Sequence, residues 1–303
     1  MAIITPQLIT ALFTGFNRKF QDAQAATPTD WQKIATLVPS TSRSNTYGWL
    51  GQFPKFREWI GDRVLKAMKA HGYSITNKKF ESSVGVPRDD IEDDELGIYG
   101  ALFEEMGRAS KAHPDELIFD LLKVGVSTLC YDGQNFFDTD HPVYANTDGT
   151  GAATSVSNYD AGDPDDEDAP TWYLMDVSRA LKPLIFQKRR DYDLKAMTNG
   201  QDEAVFMRDE YRYGVDARVN VGFGFWQFAY ASRQPLTKES YAAARAAMKA
   251  FKGDGGRPLG INPRLLVVPS ALEGAARSIV VKDKDGGNEW AGTAEVLAPS
   301  WLD

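Results

Sequence analysis

The sequence predicts an α+β fold of extended rather than closed geometry. Three patterns carry that reading: apolar residues at helical spacing over 6–26, a second helical pattern over 92–125, and a period-two alternation over 211–225. The 303-residue chain is ample for a sizeable core, and its 43% apolar and 25% charged residues match ordinary globular composition.

The first element is a helix over 6–26. Leu8, Leu12, Phe16 and Phe20 recur at four-residue spacing, and Phe13 widens the stripe. Thr5 is placed to cap it, and Pro6 suits the first helical position. Such a helix can be a core element. Joined through the polar stretch 38–45, it can equally be an arm laid on a neighbouring subunit. Residues 48–62 are aromatic and irregular, with Trp49, Phe53, Pro54, Phe56 and Trp59. Period two then takes over: Tyr73 and Ile75 alternate with polar residues, and Phe80, Ser82, Val84 and Val86 share one face. Asn77-Lys78 reads as the turn of a hairpin whose tip is Asn77-Lys78-Lys79. Such a hairpin is marginal alone and must lie against something else.

Over 92–125, Leu96, Tyr99, Phe103 and Met106 form one stripe and Leu117, Leu121 and Val124 another. His113-Pro114-Asp115-Glu116 is a restart signal, predicting a kinked helix or two abutting ones, with Gly125 at the end. Residues 131–169 show little periodicity and include the acidic run 163–168, so they read as a long surface loop. Helical and strand signals resume over 171–190. In 211–225, Tyr211, Tyr213, Val215, Ala217, Val219, Val221, Phe223 and Phe225 all fall on odd positions. Fifteen residues at ~3.3 Å each would span ~50 Å, well beyond an ordinary strand. Gly214, Gly222 and Gly224 are candidates to bend or bulge it. An Ala-rich helix over 240–251, a short buried strand over 264–268, a helix from Pro269 to about Ile279 and a last strand over 295–298 complete the pattern.

Several function classes drop out. No run approaches the ~18–20 apolar residues that span a bilayer, and the N-terminus lacks signal-peptide character, so a membrane partner is not expected and the chain is expected to fold in a cytoplasm. With 34 Lys+Arg against 42 Asp+Glu, the net charge of −8 disfavours a protein that wraps nucleic acid. The single Cys130 excludes an internal disulfide and Cys-rich zinc modules. Gly222-Phe223-Gly224 is followed by Gln227 where a dinucleotide fingerprint needs Gly or Ala. There is no phosphate-binding G-x-x-x-x-G-K-[ST], no G-x-S-x-G, and His113-Pro114-Asp115-Glu116-Leu117 is not H-E-x-x-H. Counted from Asp163, the acidic run has Asp168 and Leu174 where a calcium loop needs Gly and Glu. The remaining candidate is Cys130 with Asp138, Asp140 and His141, a thiol- or metal-dependent hydrolase constellation in principle. The weightier reading is a buried Cys beside a turn capped by the aspartates. No catalytic residue, metal or cofactor is therefore expected.

The order of elements resembles the tailed-phage major capsid fold of the Hong Kong 97 phage type. More closely, the sequence is similar to the Mu-type phage major head subunit family. The residues that carry this are 10–16 (TALFTGF), 47–54 (YGWLGQFP), 88–94 (RDDIEDD), 131–134 (YDGQ) with 136–142 (FFDTDHP), and 213–218 (YGVDAR). Their specificity lies in number and order, and the similarity runs through essentially the whole chain.

The resemblance implies a shell subunit with an N-terminal arm (1–47), an extended loop region (48–91), a peripheral domain with its spine helix (92–142) and an axial domain with interleaved peripheral strands (143–303). It implies no enzyme. It implies instead a protein that joins copies of itself as hexamers and pentamers of an icosahedral head around double-stranded DNA, assembled in the host cytoplasm and resident in the virion. Candidate inter-subunit contacts are Phe13, Phe16, Phe20, Trp49, Phe53, Asn77, Lys78, Lys79, Phe80 and Arg88. An encapsulin-like compartment with enzyme cargo shares the fold and is the alternative within assemblies. Some members of the wider fold cross-link a lysine to an asparagine of another subunit. Lys78 or Lys79 has the right loop position, but without an identifiable acidic catalyst no cross-link is expected. No long charged helical segment precedes the arm, so scaffold and maturation protease are expected as separate proteins, as is the portal. In such a shell the negative charge limits adhesion to the DNA inside.

Overall fold

The computed structural model describes residues 5–51, 53, 72–92, 96–166, 168–281 and 287–303. Pro54, Phe56, Trp59, Asp93 and Asp94, used above, lie outside the described residues.

In chain order the first elements are α1 (Pro6–Ala26), α2 (Trp31–Ile34), β1 (Ala35–Pro39), β2 (Ser44–Thr46), β3 (Ser74–Thr76), β4 (Lys78–Pro87), α3 (Arg88–Glu92) and α4 (Leu96–Lys123). Then come β5 (His141–Tyr144), β6 (Ala153–Val156), β7 (Tyr159–Asp160), β8 (Trp172–Met175), β9 (Leu184–Met197), α5 (Glu203–Arg208) and β10 (Glu210–Phe223). The chain closes with β11 (Ala229–Ser232), α6 (Lys238–Ala250), β12 (Lys252–Gly253), β13 (Arg257–Pro258), β14 (Leu265–Val267), α7 (Glu273–Val280) and β15 (Glu295–Leu297).

Two sheets organise these elements. One runs β1-β9-β10-β4, with β1 parallel to β9 and the other pairs antiparallel. The other runs β15-β14-β8-β11-β7 and is buried around Trp172, Leu174, Leu266 and Val267. Two apolar cores result. The smaller holds Ile9, Phe16, Phe20, Val86, Phe103, Met106, Tyr211, Tyr213 and Val215; the larger holds Ile118, Phe119, Leu122, Ala217, Val219, Phe223 and the second sheet. Helix α4 and strand β10 each contribute to both cores, so these two long elements tie the halves together.

Local chemistry explains the elements. The Thr5 hydroxyl accepts from the Leu8 N–H at 3.2 Å, satisfying a free donor at the start of α1. Helix α4 is one continuous helix through Pro114, which settles the choice between a kinked helix and two abutting ones. A 3-10 turn over Val124–Val126, including Gly125, follows it. Thr237 and Ser240 form a reciprocal capping box at α6. Strand β10 alternates buried and half-buried residues as the period-two pattern predicts. Its irregularity does not fall at the glycines. Asp216 pairs with Asp193, Arg218 with Arg190 and Val219 with Lys188, so the extra residues lie in β9. Gly222 instead gives room to Ile75, whose Cδ1 would lie 2.3 Å from a Cβ there.

The structure corrects two readings. First, the expected turn at Asn77-Lys78 does not join two paired strands. β3 pairs with β2, while β4 pairs along its whole length with β10, Lys78 lying opposite Val219 and Pro87 opposite Glu210. Second, residues 131–169 contain more structure than a plain loop: β5 and β6 form a small antiparallel pair, and β7 joins the second sheet.

Candidate functional site

The Cys130 region is held by a tight loop. Leu129 and Asn135 form an isolated antiparallel bridge, Gly133 takes φ 91°, and the Cys130 N–H donates to Gln134 O at 2.7 Å. This loop turns the Cys130 thiol onto Asp132 Oδ1 at 3.0 Å, which also accepts the Gln134 N–H at 3.1 Å. The other carboxylate oxygen, Oδ2, lies 2.8 Å from Nδ1 of the fully buried His141 at the start of β5. The imidazole stacks on Trp226, centroids 4.0 Å apart and planes 10° from parallel.

Asn158 sets the direction of this network. Its Nδ2 faces three carbonyl oxygens, of Phe136, Trp226 and Ala229, at 2.9, 3.3 and 3.3 Å. Carbonyls only accept, so Nδ2 is the amide nitrogen and Oδ1 is the acceptor. Oδ1 takes the Asp138 N–H at 2.9 Å and faces His141 Nε2 at 3.1 Å, so Nε2 carries a proton. Burial opposes charge on Asp132, yet the His141 contact, its charge and the Cys130 thiol hold the carboxyl below its usual range. Burial first, then the Asp132 charge, pushes the Cys130 thiol far up.

Of the residues considered for thiol chemistry, the fold therefore brings Cys130 and His141 together through Asp132. Asp138 accepts the Asn135 and Thr139 N–H groups and caps the turn, and Asp140 is exposed. A thiol held protonated is a poor nucleophile, which removes the basis for hydrolase chemistry. Neither Asp132 nor Asn158 stands out in the sequence as a member of this cluster. Two-residue spacing from Cys130 was the one signal for the first; nothing local marked the second. Among the described residues, Cys130, Asp132 and His141 are the group whose possible ligand atoms lie within 4.8 Å of one another; Asp163, Asp165, Asp166 and Asp168 are not part of such a group.

The residues considered for subunit contact are dispersed. Phe16 and Phe20 are buried, at 5% and 1% exposure, against Phe103, Tyr213 and the β4–β10 sheet. Their apolar surface is covered within the chain, because α4 presents a matching stripe to α1. Phe13 is half-buried over Tyr213. Trp49 and Phe53 sit half-buried around Phe225, with centroids 5.8 and 4.9 Å from it. Asn77, far from being a loop tip, is buried: its Nδ2 donates to Ser40 Oγ and Ser42 O, and its Oδ1 accepts from Gln187. Lys78 and Lys79 are exposed at the start of β4, an edge strand. Phe80 meets His113 edge-on at 4.5 Å, and Arg88 faces Asp209 at 3.6 Å. Phe206 and Met207 of α5 and Ile98 of α4 are exposed large apolar residues.

Comparison with known proteins agrees along the whole length. The family profile of the Mu-like prophage major head subunit gpT matches residues 9–302. The chain is 47% identical over 306 residues to the major capsid protein of Escherichia phage Mu, covering 99% of this chain and 100% of the relative. It is 50% identical over 283 residues to the Mu-like prophage FluMu major head subunit of Haemophilus influenzae, covering 93% and 92%. Among solved structures, the bacteriophage JBD30 procapsid matches with a TM-score of 0.87 at 56% identity over 98% of this chain and 100% of the other. The JBD30 capsid matches with a TM-score of 0.74 at 44% identity over 100% of both. The α+β fold is that of a phage capsid subunit, as the resemblance implied, and its role is structural, not enzymatic. The chain belongs to the Mu-like prophage major head subunit gpT family.

Proposed function

We propose that this head subunit assembles as hexamers and pentamers of an icosahedral shell enclosing double-stranded DNA, with scaffold, maturation protease and portal supplied as separate proteins. Assembly takes place in the host cytoplasm, and the finished subunit resides in the virion. The observation that carries this reading is the full-length likeness to the JBD30 procapsid subunit. Within the shell, residues 1–47 act as the arm, 48–91 as the extended loop region, 92–142 as the peripheral domain and 143–303 chiefly as the axial domain.

The contacts are shape-based. Lys78 and Lys79 on the open edge of β4, with the partly exposed Phe13, Trp49, Phe53, Phe80 and Arg88, meet neighbouring copies. Asn77, Phe16 and Phe20 serve the subunit's own core and support those surfaces from beneath. Electron microscopy of the full chain expressed with its assembly factors tests the proposal. Shells, sheets or tubes are expected, with the chain as the dominant virion band. A chain that stays monomeric under those conditions overturns it.

A further inference from the structure

We propose that Cys130, Asp132 and His141 form a binding site for one zinc-class divalent ion. Their ligand atoms lie within 4.8 Å of one another in the fold as it stands. A tetrahedral zinc, with Zn–S near ~2.3 Å and Zn–N or Zn–O near ~2.1 Å, spaces its ligand atoms roughly 3.3–3.7 Å apart. The sulfur lies 3.0 Å from Asp132 Oδ1 and the imidazole 2.8 Å from Oδ2, so a shared ion needs the side chains to turn from these hydrogen bonds toward one carboxylate oxygen.

Three further features fit a metal. The donor set of one sulfur, one imidazole nitrogen and one carboxylate oxygen suits zinc and disfavours magnesium or calcium, which take oxygen ligands. Asn158 fixes the His141 proton on Nε2, leaving Nδ1 as the nitrogen aimed at the cluster. That is the outer hydrogen bond that orients metal-ligating histidines. Finally, a cavity of about 50 Å³ lined by Asp132, Trp226, Gln227 and Asp254 opens beside one of the three ligands, Asp132. On binding, the metal takes the Cys130 sulfur as thiolate and the thiol proton leaves to solvent; nothing is oxidised or reduced.

Because Cys130 is the single cysteine, the wild-type full-length chain tests the site without a variant. Chelator-stripped protein is titrated with Co²⁺, and thiolate-to-cobalt charge-transfer absorption is read. The expected result is a band that saturates at one equivalent, disappears when Zn²⁺ is added, and accompanies protection of the thiol from a maleimide. Asp132→Asn is expected to weaken Co²⁺ binding about 10–100-fold. Cobalt binding without the thiolate band, thiol reactivity indifferent to Zn²⁺, or unchanged affinity in a folded Asp132→Asn variant overturns the proposal. None of these readouts depends on shell assembly, so the site can fail while the assembly reading stands.

Discussion

Phe16 of α1 stacks on Phe103 of α4 with ring centroids 4.2 Å apart and planes inclined by 20°, and Tyr213 of β10 meets both rings edge-on. The first helix is thereby sealed onto the same chain's long helix and sheet. Truncating a buried aromatic leaves both lost transfer energy and a cavity. Phe16→Ala is therefore expected to cost the unassembled subunit about 3–5 kcal/mol, read from the denaturant midpoint by tryptophan fluorescence. Were α1 instead seated only on a neighbour, the substitution would leave the isolated subunit's midpoint unmoved.

The same helix pair supplies a glycine test. A Cβ on Gly107 of α4 would lie 2.3 Å from the backbone oxygen of Phe20 in α1, whereas one on Gly15 meets nothing within 4 Å. Backbone cannot swing aside as a side chain does. Gly107→Ala is expected to destabilise by about 1–3 kcal/mol through overpacking. Gly15→Ala, relieving the entropy of a helical glycine, is expected to stabilise by about 0.5–1 kcal/mol. Midpoints moving in the same direction would show that the two helices do not cross at Gly107.

How much of this was legible beforehand depends on whether the information is local. The alternation Tyr211 to Phe223 foretold β10, because one strand's burial is written at period two. The sequence signal for its partner β9 stops at Arg190, because Lys188, Arg189, Arg190 and Asp191 interrupt the apolar pattern where that strand is irregular and faces solvent. Asn77 misled for a related reason. Asn followed by Lys between two strands looks like a turn, yet the pairing that decides the matter is with Ser44–Thr46 on one side and Glu210–Val219 on the other. The Cys130 cluster was half visible: sequence offered the thiol and the imidazole, but Asp132 and Asn158 join only once the loop and the second sheet come together.

Asn77 and its two neighbours separate burial from surface. Tyr47 donates to Gln187 at 2.7 Å, Gln187 donates to Asn77 at 2.9 Å, and Asn77 donates to Ser40 at 2.9 Å, a buried polar relay linking β3, β9 and the end of β1. Asn77→Ala strands Gln187 and Ser40 groups away from water and is expected to cost about 1–3 kcal/mol of subunit stability. Lys78→Glu and Lys79→Glu, on exposed positions, are expected to stay within about 0.5 kcal/mol. Under the assembly reading they lower shell yield while leaving the subunit's midpoint alone. Equal losses of stability at all three positions would contradict this division.

His113 sets a pH dependence. It sits half-buried between Phe80 and Tyr192, its Nδ1 2.6 Å from the Tyr192 hydroxyl, beside a cavity of about 220 Å³ also lined by Glu81 and Glu116. Burial pushes its pKa below the ordinary 6.5, with Glu116 opposing that only in part. The unfolded chain therefore binds the proton first as pH falls. Stability is fully retained above 6.5 and declines as pH drops from there to the lower folded value. The wild-type subunit is expected to have a lower denaturant midpoint at about pH 5.5 than at about pH 7.5. His113→Gln removes the titration, so the gap between those two midpoints should narrow even if the lost Tyr192 contact lowers both. A gap of undiminished size in the variant would mean that other groups carry the acid sensitivity.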